Sequence, residues 1–366
     1  RGEQHDQIRP SGTMTPPAWL VVVDFAHTSI LVTVVCDTNR LVCAMLCCQS
    51  AYDGDMTHVG IAAPPVVGWD IHCHTVFSDG METPRTLLEQ AKSRGLQGVA
   101  ITDHDTTAGW SDAQQAATWA ELPLLRGTEI TADDNRISVH MLAFQYDPDN
   151  AQIREMFANT RAARLRRTKR MVEHIAEDYP ITWHSVQVQA HEGMRTTIGR
   201  PHIADALVAA GVYRTRSEAF AGVVSTSSKY YIPTPSPTTH DVVAAVKAAG
   251  GVTVIAHAGD LSRNRRLLSD EQIESLIAEG LDGLEVWHRG NPPQQRERLL
   301  AIASAHDLLV TGGSDWHGKG KPNELGENLT DADTVREIVR RGVLPLFGAY
   351  MKMPAGNFAN GHPKRT

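Results

Sequence analysis

Histidine, aspartate and glutamate recur along the chain at positions that suit a metal-dependent reaction. His72 and His74 lie two residues apart, so in a strand both imidazoles point to the same face and can reach one cation. A His-x-His pair alone is weak evidence. The same residue types follow further apolar runs, at Asp79, Asp103, His104, Asp105, Glu129, His140, His257, Glu285, His288, Asp315 and His317. The whole series predicts a site that holds more than one metal ion.

The types of ligand restrict both the metal and its chemistry. Imidazole and carboxylate groups without thiolates suit Zn, Mn or Fe better than Mg alone. Such ions lower the pKa of a bound water molecule towards about 7 and polarise the oxygens of a substrate, which favours a hydrolytic reaction. Cys73 lies between His72 and His74 and should face the opposite way, so we predict that its thiol only packs.

The elements that position these residues alternate between strands and helices. The predicted strands are residues 66–72, 98–102, 122–125, 137–144, 252–256, 281–287 and 308–311. The predicted helices are residues 83–94, 241–249, 270–279, 294–306 and 333–341. This alternation indicates parallel pairing and an α/β fold, whose chemistry belongs where the strands end and the loops converge.

The same patterns divide the chain. No strand is evident between about residues 147 and 237, so we predict a helical insertion into a barrel. The predicted parts are an extension outside the fold at 1–55, barrel segments at 56–147 and 238–348, the insertion at 148–237, and a tail at 349–366. The extension is set apart because the barrel pattern begins only after Met56.

Composition excludes several other classes of protein. The chain is 42% hydrophobic and 21% charged, as in globular domains, and its net charge of -7 argues against an extended nucleic-acid surface. Its five cysteines form neither a disulfide framework nor a zinc ribbon, which indicates a reducing, cytoplasmic location. No uninterrupted apolar run of about 18 residues occurs, so no membrane span is expected.

Several motifs together resemble the PHP family, the polymerase and histidinol phosphatase superfamily. They are DIHCHTVFSDG, AITDHDT, GTEIT, VHMLAF, IAHAG and GGSDWH, and they extend the resemblance from about residue 68 to residue 345. The segment GRPHIADALV is most similar to stand-alone bacterial PHP phosphoesterases, which include nucleotide phosphatases and a 5′-to-3′ exoribonuclease acting on short RNA. The resemblance implies a distorted barrel of seven strands with metals at its C-terminal face.

The resemblance also implies a ligand set for three divalent ions of Zn, Mn or Fe. The first would be held by His72, His74, Glu129 and Asp315. The second would be held by Glu129, His140 and His257, with Glu129 bridging. The third would be held by Asp79, His104 and His317. Asp103 and Asp105 flank a ligand, so we assign them orienting or structural roles.

The implied activity is hydrolysis of phosphate monoesters by a metal-activated hydroxide. The substrate would be an AMP-like nucleotide or a short 5′-phosphorylated RNA, with no membrane and no obligate protein partner. Two alternatives remain open: a histidinol-phosphate-type phosphatase, and a metal-binding regulatory module without catalysis. The complete ligand set and the absence of a polymerase body speak against the second alternative.

Three residues are candidates for direct contact with the substrate. Arg200 and His202 flank Pro201, which predicts a helix start, and such a terminus favours anions. Arginine also offers phosphate a bidentate fork, although Arg200 could be an ordinary surface charge. His288 could protonate the leaving oxygen or simply cap its loop.

A run of basic residues precedes this segment, at Arg161, Arg164, Arg166, Arg167, Lys169 and Arg170. The favoured interpretation is a solvated helix face, with Ile153, Phe157, Val172 and Ile175 packed inward. The alternative is a phosphate-steering patch near the mouth of the site.

Overall fold

The structure, a computed structural model, describes residues 20–26, 29–35, 64–263 and 266–348. The chain divides into two compact units, Arg1–Val59 and Gly60–Thr366. In the first unit, strand β1 (Leu20–Ala26) pairs in antiparallel fashion with β2 (Ser29–Val35). The prediction that residues 1–55 are an extension falls mainly on residues outside the described ranges, so it stays a prediction.

The second unit is an α/β domain built on a nearly closed barrel of seven strands. Their order in the sheet follows the chain: β3 (Trp69–Asp70), β4 (Gly98–Ile101), β5 (Leu124–Asp134), β6 (Ile137–Phe144), β7 (Val252–Ile255), β8 (Gly283–Trp287) and β9 (Leu309–Gly312). This architecture confirms the predicted fold class.

Hydrogen bonds just beyond β3 and β9, the two edge strands of the barrel sheet, bring the edges of that sheet together. The backbone N–H of His74 donates to the carbonyl of Trp316 at 2.8 Å, and the N–H of Trp316 donates to the carbonyl of His72 at 3.2 Å. We call these bonds the seam. Residues on both sides of the seam are candidate metal ligands.

The prediction of parallel pairing throughout is wrong for β6. This strand runs antiparallel to both β5 and β7, whereas the other neighbouring pairs are parallel. The reason is the short connection between Asp134 and Ile137, where Asn135 and Arg136 adopt positive φ values of 49° and 68°. Such a tight turn can only return the chain alongside β5.

Helices cover the barrel and form the insertion. They are α1 (Pro84–Ser93), α2 (Trp110–Ala120), α3 (Ala151–Ile175), α4 (Trp183–Gln187), α5 (Arg200–Ala209), α6 (Arg216–Ala221), α7 (Thr239–Ala248), α8 (Asp270–Glu279), α9 (Pro293–Ala305) and α10 (Ala332–Arg341). Thr83 caps α1 as expected, because its side chain accepts from the N–H of Thr86. Helix α2 was not predicted; its buried face consists mainly of alanines, which give a weak apolar pattern.

Apolar side chains fill both the barrel and the space beneath its helices. Trp69, Leu125, Leu142 and Phe144 belong to one fully buried cluster that includes strand residues. Cys73 is also fully buried, in an apolar cluster with helices α1 and α2, which confirms that its thiol packs. None of the described helices combines the length and apolar composition that crossing a bilayer requires.

The segment between β6 and α7 is helical, as predicted, and has a core of its own around Met171, Ile203 and Leu207. Its loops are bonded to the strand-end loop after β3. The N–H of Thr197 donates to the carbonyl of Phe77 at 2.9 Å, and Arg216 donates to the carbonyl of Asp79 at 2.7 Å. The insertion is therefore tied directly to a loop that carries a ligand candidate.

Candidate functional site

The candidate ligands lie at one end of the barrel, on strands and on the loops that follow them. Glu129 was expected at the end of its strand, but β5 continues to Asp134. His140 lies within β6, whose antiparallel direction places its beginning, not its end, near the loops. Glu129 and His140 therefore reach the site from within an antiparallel pair, and their side chains meet.

Glu129 is the centre of the arrangement. It is completely buried. Its Oε1 lies 2.6 Å from Nδ1 of His140 and 3.0 Å from Nε2 of His257. Its Oε2 lies 2.9 Å from Nε2 of His74. One carboxylate thus faces imidazoles from β6 and from the loops after β3 and β7, a geometry suited to a bridging ligand.

Two further carboxylates surround this centre. Oδ1 of Asp315 lies 3.3 Å from Nε2 of His74. Oδ1 of Asp79 lies 3.1 Å from Nε2 of His317, and its Oδ2 lies 3.8 Å from Nε2 of His104. Both carboxylates are buried, so their charge requires nearby cations.

The ligand atoms themselves show that metal ions fit here. Within the described residues, several buried atoms of the site have no hydrogen-bond partner: Nε2 of His72, His74 and His317, Nδ1 of His104, Oε2 of Glu129 and Oδ1 of Asp315. Buried polar atoms are normally satisfied, and these converge on one another. Three groups have ligand atoms within 4.8 Å: His74, Asp79, His104 and His317; His72, His74, Glu129 and Asp315; and His104, Glu129 and His140.

The carboxylates oppose the effect of burial on two imidazoles. Burial alone would lower the pKa of His72, but Glu285 and Glu129 outweigh it and raise that pKa well above its ordinary value. Burial also opposes protonation of His74, yet bonds to Asp315 and Glu129 raise its pKa to about 9. Without metals, these two imidazoles therefore take up positive charge next to the acidic groups.

Burial decides the protonation of three other imidazoles. It holds the pKa of His104 and of His257 well below 6.5, and for His257 the charge of Arg263 acts in the same direction. It also lowers the pKa of His317 to about 4, together with the charge of Lys321. These imidazoles are neutral at pH 7, the form that binds a metal.

The backbone is strained at two ligand candidates. His257 and Asp315 have φ values of 33° and 51°, a left-handed conformation that few residues other than glycine adopt. Such strain persists where the surrounding structure imposes it, and it is common at functional sites. Here it turns side chains at the ends of β7 and β9 into the site.

Asp103 and Asp105 have structural roles rather than contacts with imidazoles. Asp103 accepts hydrogen bonds from the N–H and hydroxyl of Thr75 and from the hydroxyl of Ser78, which fixes the loop after His74. Asp105 accepts from Thr131 and from Arg164, at 2.6 Å for the guanidinium, which ties the insertion to the barrel. The structural alternative of the two predicted roles therefore applies to Asp105, whereas Asp103 reaches an imidazole only through Ser78, whose hydroxyl lies 3.3 Å from Nδ1 of His74.

Glu285 contacts an imidazole of the site, although no role was predicted for it. Its Oε1 lies 2.9 Å from Nδ1 of His72, and it is completely buried. The signal available beforehand was a carboxylate within an otherwise apolar strand, which must have a buried partner.

His288 both caps its loop and retains a free donor. Its Nδ1 accepts from the N–H of Gly290 at 3.1 Å, so the neutral ring carries its proton on Nε2. That Nε2 is buried and has no hydrogen-bond partner in the described part of the chain. The ring centre lies 5.4 Å from that of His257.

Arg200 and His202 lie in the first turn of α5, as predicted. Nδ1 of His202 accepts from the N–H of Gly199 at 3.2 Å, and burial lowers the pKa of this imidazole to about 4. Arg200 is half-buried, with its guanidinium over the ring of Phe220 at 5.4 Å and over that of Tyr231 at 5.6 Å. The only hydrogen bond described for its guanidinium goes to the carbonyl of Val224.

Helix α3 distributes the basic run over two faces. Arg166, Lys169 and Arg170 are exposed, and the predicted apolar residues are buried, so the solvated-face interpretation holds for those three. Arg167 instead lies over Tyr231 at 5.3 Å, and burial together with the charge of Arg200 lowers its pKa to about 9. Sequence reasoning did not separate Arg167 from the run.

Two cations that the sequence reasoning missed adjoin Asp315. Lys321 donates to its Oδ2 at 2.7 Å, and Nη1 of Arg263 lies 3.5 Å from the same oxygen. Another guanidinium nitrogen of Arg263 lies 2.8 Å from Nδ1 of His140. Because both residues are on loops without a recognisable motif, only the folded chain places them at the rim of the site.

Comparison with known proteins agrees with this geometry. The PHP domain model matches residues 70–221. A 5′-3′ exoribonuclease of Haemophilus influenzae is 28% identical over 272 residues, 73% of this chain and 96% of that protein. A 3′,5′-nucleoside bisphosphate phosphatase of Chromobacterium violaceum is 27% identical over 278 residues, 74% of this chain and 93% of that protein.

A solved structure is considerably more similar. It comes from Bifidobacterium adolescentis and is assigned as a metal-dependent phosphoesterase. It is 76% identical, with a TM-score of 0.76, over 77% of this chain and 98% of that chain. The barrel and its buried imidazoles and carboxylates define a metal-dependent hydrolase. The chain belongs to the PHP family and is a metal-dependent phosphoesterase, which confirms the predicted family and enzyme class.

Proposed function

We propose that the protein binds three divalent ions of Zn, Mn or Fe and removes phosphate from a nucleotide or from the 5′ end of a short RNA. The observation that carries the substrate class is a pair of guanidinium groups, Arg167 and Arg200. Each lies over Tyr231 and each donates to a backbone carbonyl. Neither has a carboxylate partner within the described residues, so the pair is suited to bind an anion.

The predicted ligand set would hold the ions. His72, His74, Glu129 and Asp315 would bind the first, Glu129, His140 and His257 the second, and Asp79, His104 and His317 the third. When bound, the ions supply an activated water and neutralise charge on the phosphoryl oxygens. The oxygens of Glu129 face imidazoles of two of these groups, which supports its bridging role.

Arg200 would grip a phosphoryl group of the substrate. Burial, together with the charges of Arg164 and Arg263, lowers the pKa of Arg200, so these three guanidinium groups lie close enough to interact. The first turn of α5 adds the partial positive charge of a helix N-terminus. His202 would fix that turn through its bond to Gly199 and would hold Arg200 in position.

His288 would donate a hydrogen bond to the leaving oxygen. Its Nε2 carries the proton and is free of other partners in the described structure, while its ring lies beside that of His257. Burial lowers the pKa of His288, so the ring is neutral at pH 7 and acts as a donor through Nε2 alone. A donor at this position offsets the charge that develops on the leaving oxygen.

The names of the relatives are consistent with this substrate class. One is called a 5′-3′ exoribonuclease and another a 3′,5′-nucleoside bisphosphate phosphatase. Both substrates carry phosphate on a nucleoside unit.

The test is phosphate release by the full chain after reconstitution with Mn, Zn or Fe. The panel contains mononucleotides, 3′,5′-bisphosphates, short 5′-phosphorylated RNA and histidinol phosphate. We expect release from nucleotide or RNA substrates, and three ions per chain by elemental analysis. Crystals grown with Mn or Zn should show the ions close together by anomalous scattering.

Two results would contradict the proposal separately. Selective release from histidinol phosphate would overturn the nucleotide assignment while leaving the metal centre intact. A single ion per chain under saturating metal would overturn the trinuclear assignment, whatever the substrate.

A further inference from the structure

Glu285 contacts two candidate ligands at once without being a candidate ligand itself. It lies on β8 and is completely buried. Its Oε1 lies 2.9 Å from Nδ1 of His72, and its Oε2 accepts the backbone N–H of His257 at 2.6 Å. It belongs to none of the groups of described ligand atoms that lie within 4.8 Å.

We propose that Glu285 is a positioning residue that fixes the tautomer of His72 so that Nε2 can bind metal. A carboxylate can only accept, so the proton of the neutral ring must lie on Nδ1, facing Oε1. Nε2 then keeps its lone pair, directed at the space beside Glu129 and Asp315, whose oxygens lie 3.3 and 3.6 Å away. This inference rests on the proposed metal-binding role of His72.

The second oxygen makes the arrangement specific for a carboxylate. The backbone N–H of His257 can only donate, and His257 is held in the left-handed conformation at φ 33°. The side chain of Asn291 fixes the backbone on both sides: it donates to the carbonyl of Glu285 at 2.9 Å and accepts from Gly259 at 2.9 Å. Glu285 must therefore present an acceptor to each of its two partners.

Glutamine has the same shape but cannot meet both requirements. Its single oxygen must face the N–H of His257, because an NH₂ group there would oppose another donor. The NH₂ group then faces Nδ1 of His72, which must become the acceptor. The proton of the neutral ring moves to Nε2, and that atom can no longer bind a metal. An isosteric change thus removes a ligand without opening a cavity.

The test compares Glu285→Gln with the wild type and with Asp134→Asn. Asp134 is also a buried barrel carboxylate, but its described partners are Gln272, Thr239 and Asn135, none of them an imidazole. Zinc affinity is measured by competition with a chelator, and melting temperature on the metal-free proteins. We expect Glu285→Gln to weaken at least one zinc site by roughly 10–100-fold, the scale for loss of a ligand's orienting partner.

The controls separate this inference from the proposed function. Asp134→Asn should keep wild-type zinc affinity, and a loss as large as that of Glu285→Gln would overturn a specific positioning role. Wild-type affinity in Glu285→Gln would overturn the inference alone. A wild-type protein that binds no zinc at all would overturn the metal centre itself.

A second measurement does not depend on the variant folding. The zinc-loaded wild type is labelled with ¹⁵N-histidine, and the His72 ring is identified by its absence from His72→Gln. We expect a proton on Nδ1 and none on Nε2. A proton on Nε2, with Nδ1 bound to zinc, would overturn the proposed role of Glu285.

Discussion

The barrel end and the facing edge of the insertion carry opposite kinds of unsatisfied groups. At the barrel end, Glu129, Asp315 and their imidazoles leave buried acceptor atoms without partners in the described structure. At the insertion edge, Arg167 and Arg200 have hydrogen bonds to carbonyls but no described carboxylate partner. The first region is therefore suited to bind metal cations, and the second is suited to bind an anion.

This contrast suggests that metal binding and substrate binding depend on different regions of the molecule. The barrel, whose strands fix side chains rigidly, provides the atoms that hold metal ions. The insertion is joined to the barrel by polar contacts, such as those of Arg164 with Asp105 and of Arg216 with Asp79, and under the proposed function it would provide charge for the substrate. If the division is correct, variants in the two regions should fail in different ways.

The largest effect is expected for Glu129→Ala at the barrel end. Because Glu129 faces imidazoles from several strand ends, its loss should remove both metal and activity. We expect kcat/KM to fall by an amount that corresponds to more than about 4 kcal/mol of lost transition-state stabilisation, since bound metal supplies several kcal/mol of charge stabilisation. Elemental analysis and kcat/KM are measured together, and full metal content with low activity would show that Glu129 is not a ligand.

A smaller and selective loss is expected for Arg200→Ala at the insertion edge. The variant should keep full metal content. Its lower kcat/KM should correspond to a loss of roughly 2–4 kcal/mol of transition-state stabilisation, the scale for one preorganised donor. Arg200→Lys should recover little, because an ammonium group lacks the planar fork. Arg170→Ala, an exposed cation on α3, is the matched control. Wild-type kcat/KM in Arg200→Ala would make Arg200 an ordinary structural residue.

A pH-dependent effect on stability is expected from His202. Burial lowers its pKa from 6.5 to about 4, so the folded state favours the neutral ring. The free energy of unfolding of the metal-free protein should therefore fall as pH drops from about 6.5 towards 4, by up to about 3 kcal/mol, and be unaffected at pH 7. Urea unfolding of His202→Gln, which can still accept from Gly199, should show a flatter profile. Identical profiles would contradict the assignment.

The smallest effect is expected at the N-terminus. Removal of residues 1–55 should leave metal content, activity and melting temperature close to those of the full chain, because the barrel begins in the second compact unit. Removal of residues 1–70, which deletes β3, is the control and should abolish folding. Loss of active protein in the shorter deletion would mean that the segment belongs to the fold.

The sequence was sufficient for most strands and helices, because apolar runs and caps are local signals. The bounds of β6 and α8 match the predicted ranges, and α1 begins after Thr83 as expected. The direction of a strand is not a local signal. The turn at Asn135 makes β6 antiparallel to β5, whereas parallel pairing was predicted. Alanine-rich α2 gave too weak a periodicity to be recognised.

The candidate site shows the same limit. Residues next to a strand end, such as His72 and Asp315, were recognisable from their types and from motifs. Arg263 and Lys321 were not recognised, and Glu285 was recognised by type but not by role, because these roles depend on which side chains the fold brings beside them. The roles that could not be predicted are therefore those that depend on contacts between residues far apart in the chain.

The seam between the first and last strands has a thermodynamic consequence. His72 and His74 lie on one side of it and Asp315 and His317 on the other, so ions bound by both sides would cross-link the barrel edges. Folding and metal uptake are then linked equilibria. Each ion at 100 times its dissociation constant adds about 2.7 kcal/mol of stability. A chelator would thus loosen the closure as well as stop the reaction, and amide exchange at His74 and Trp316 would report it.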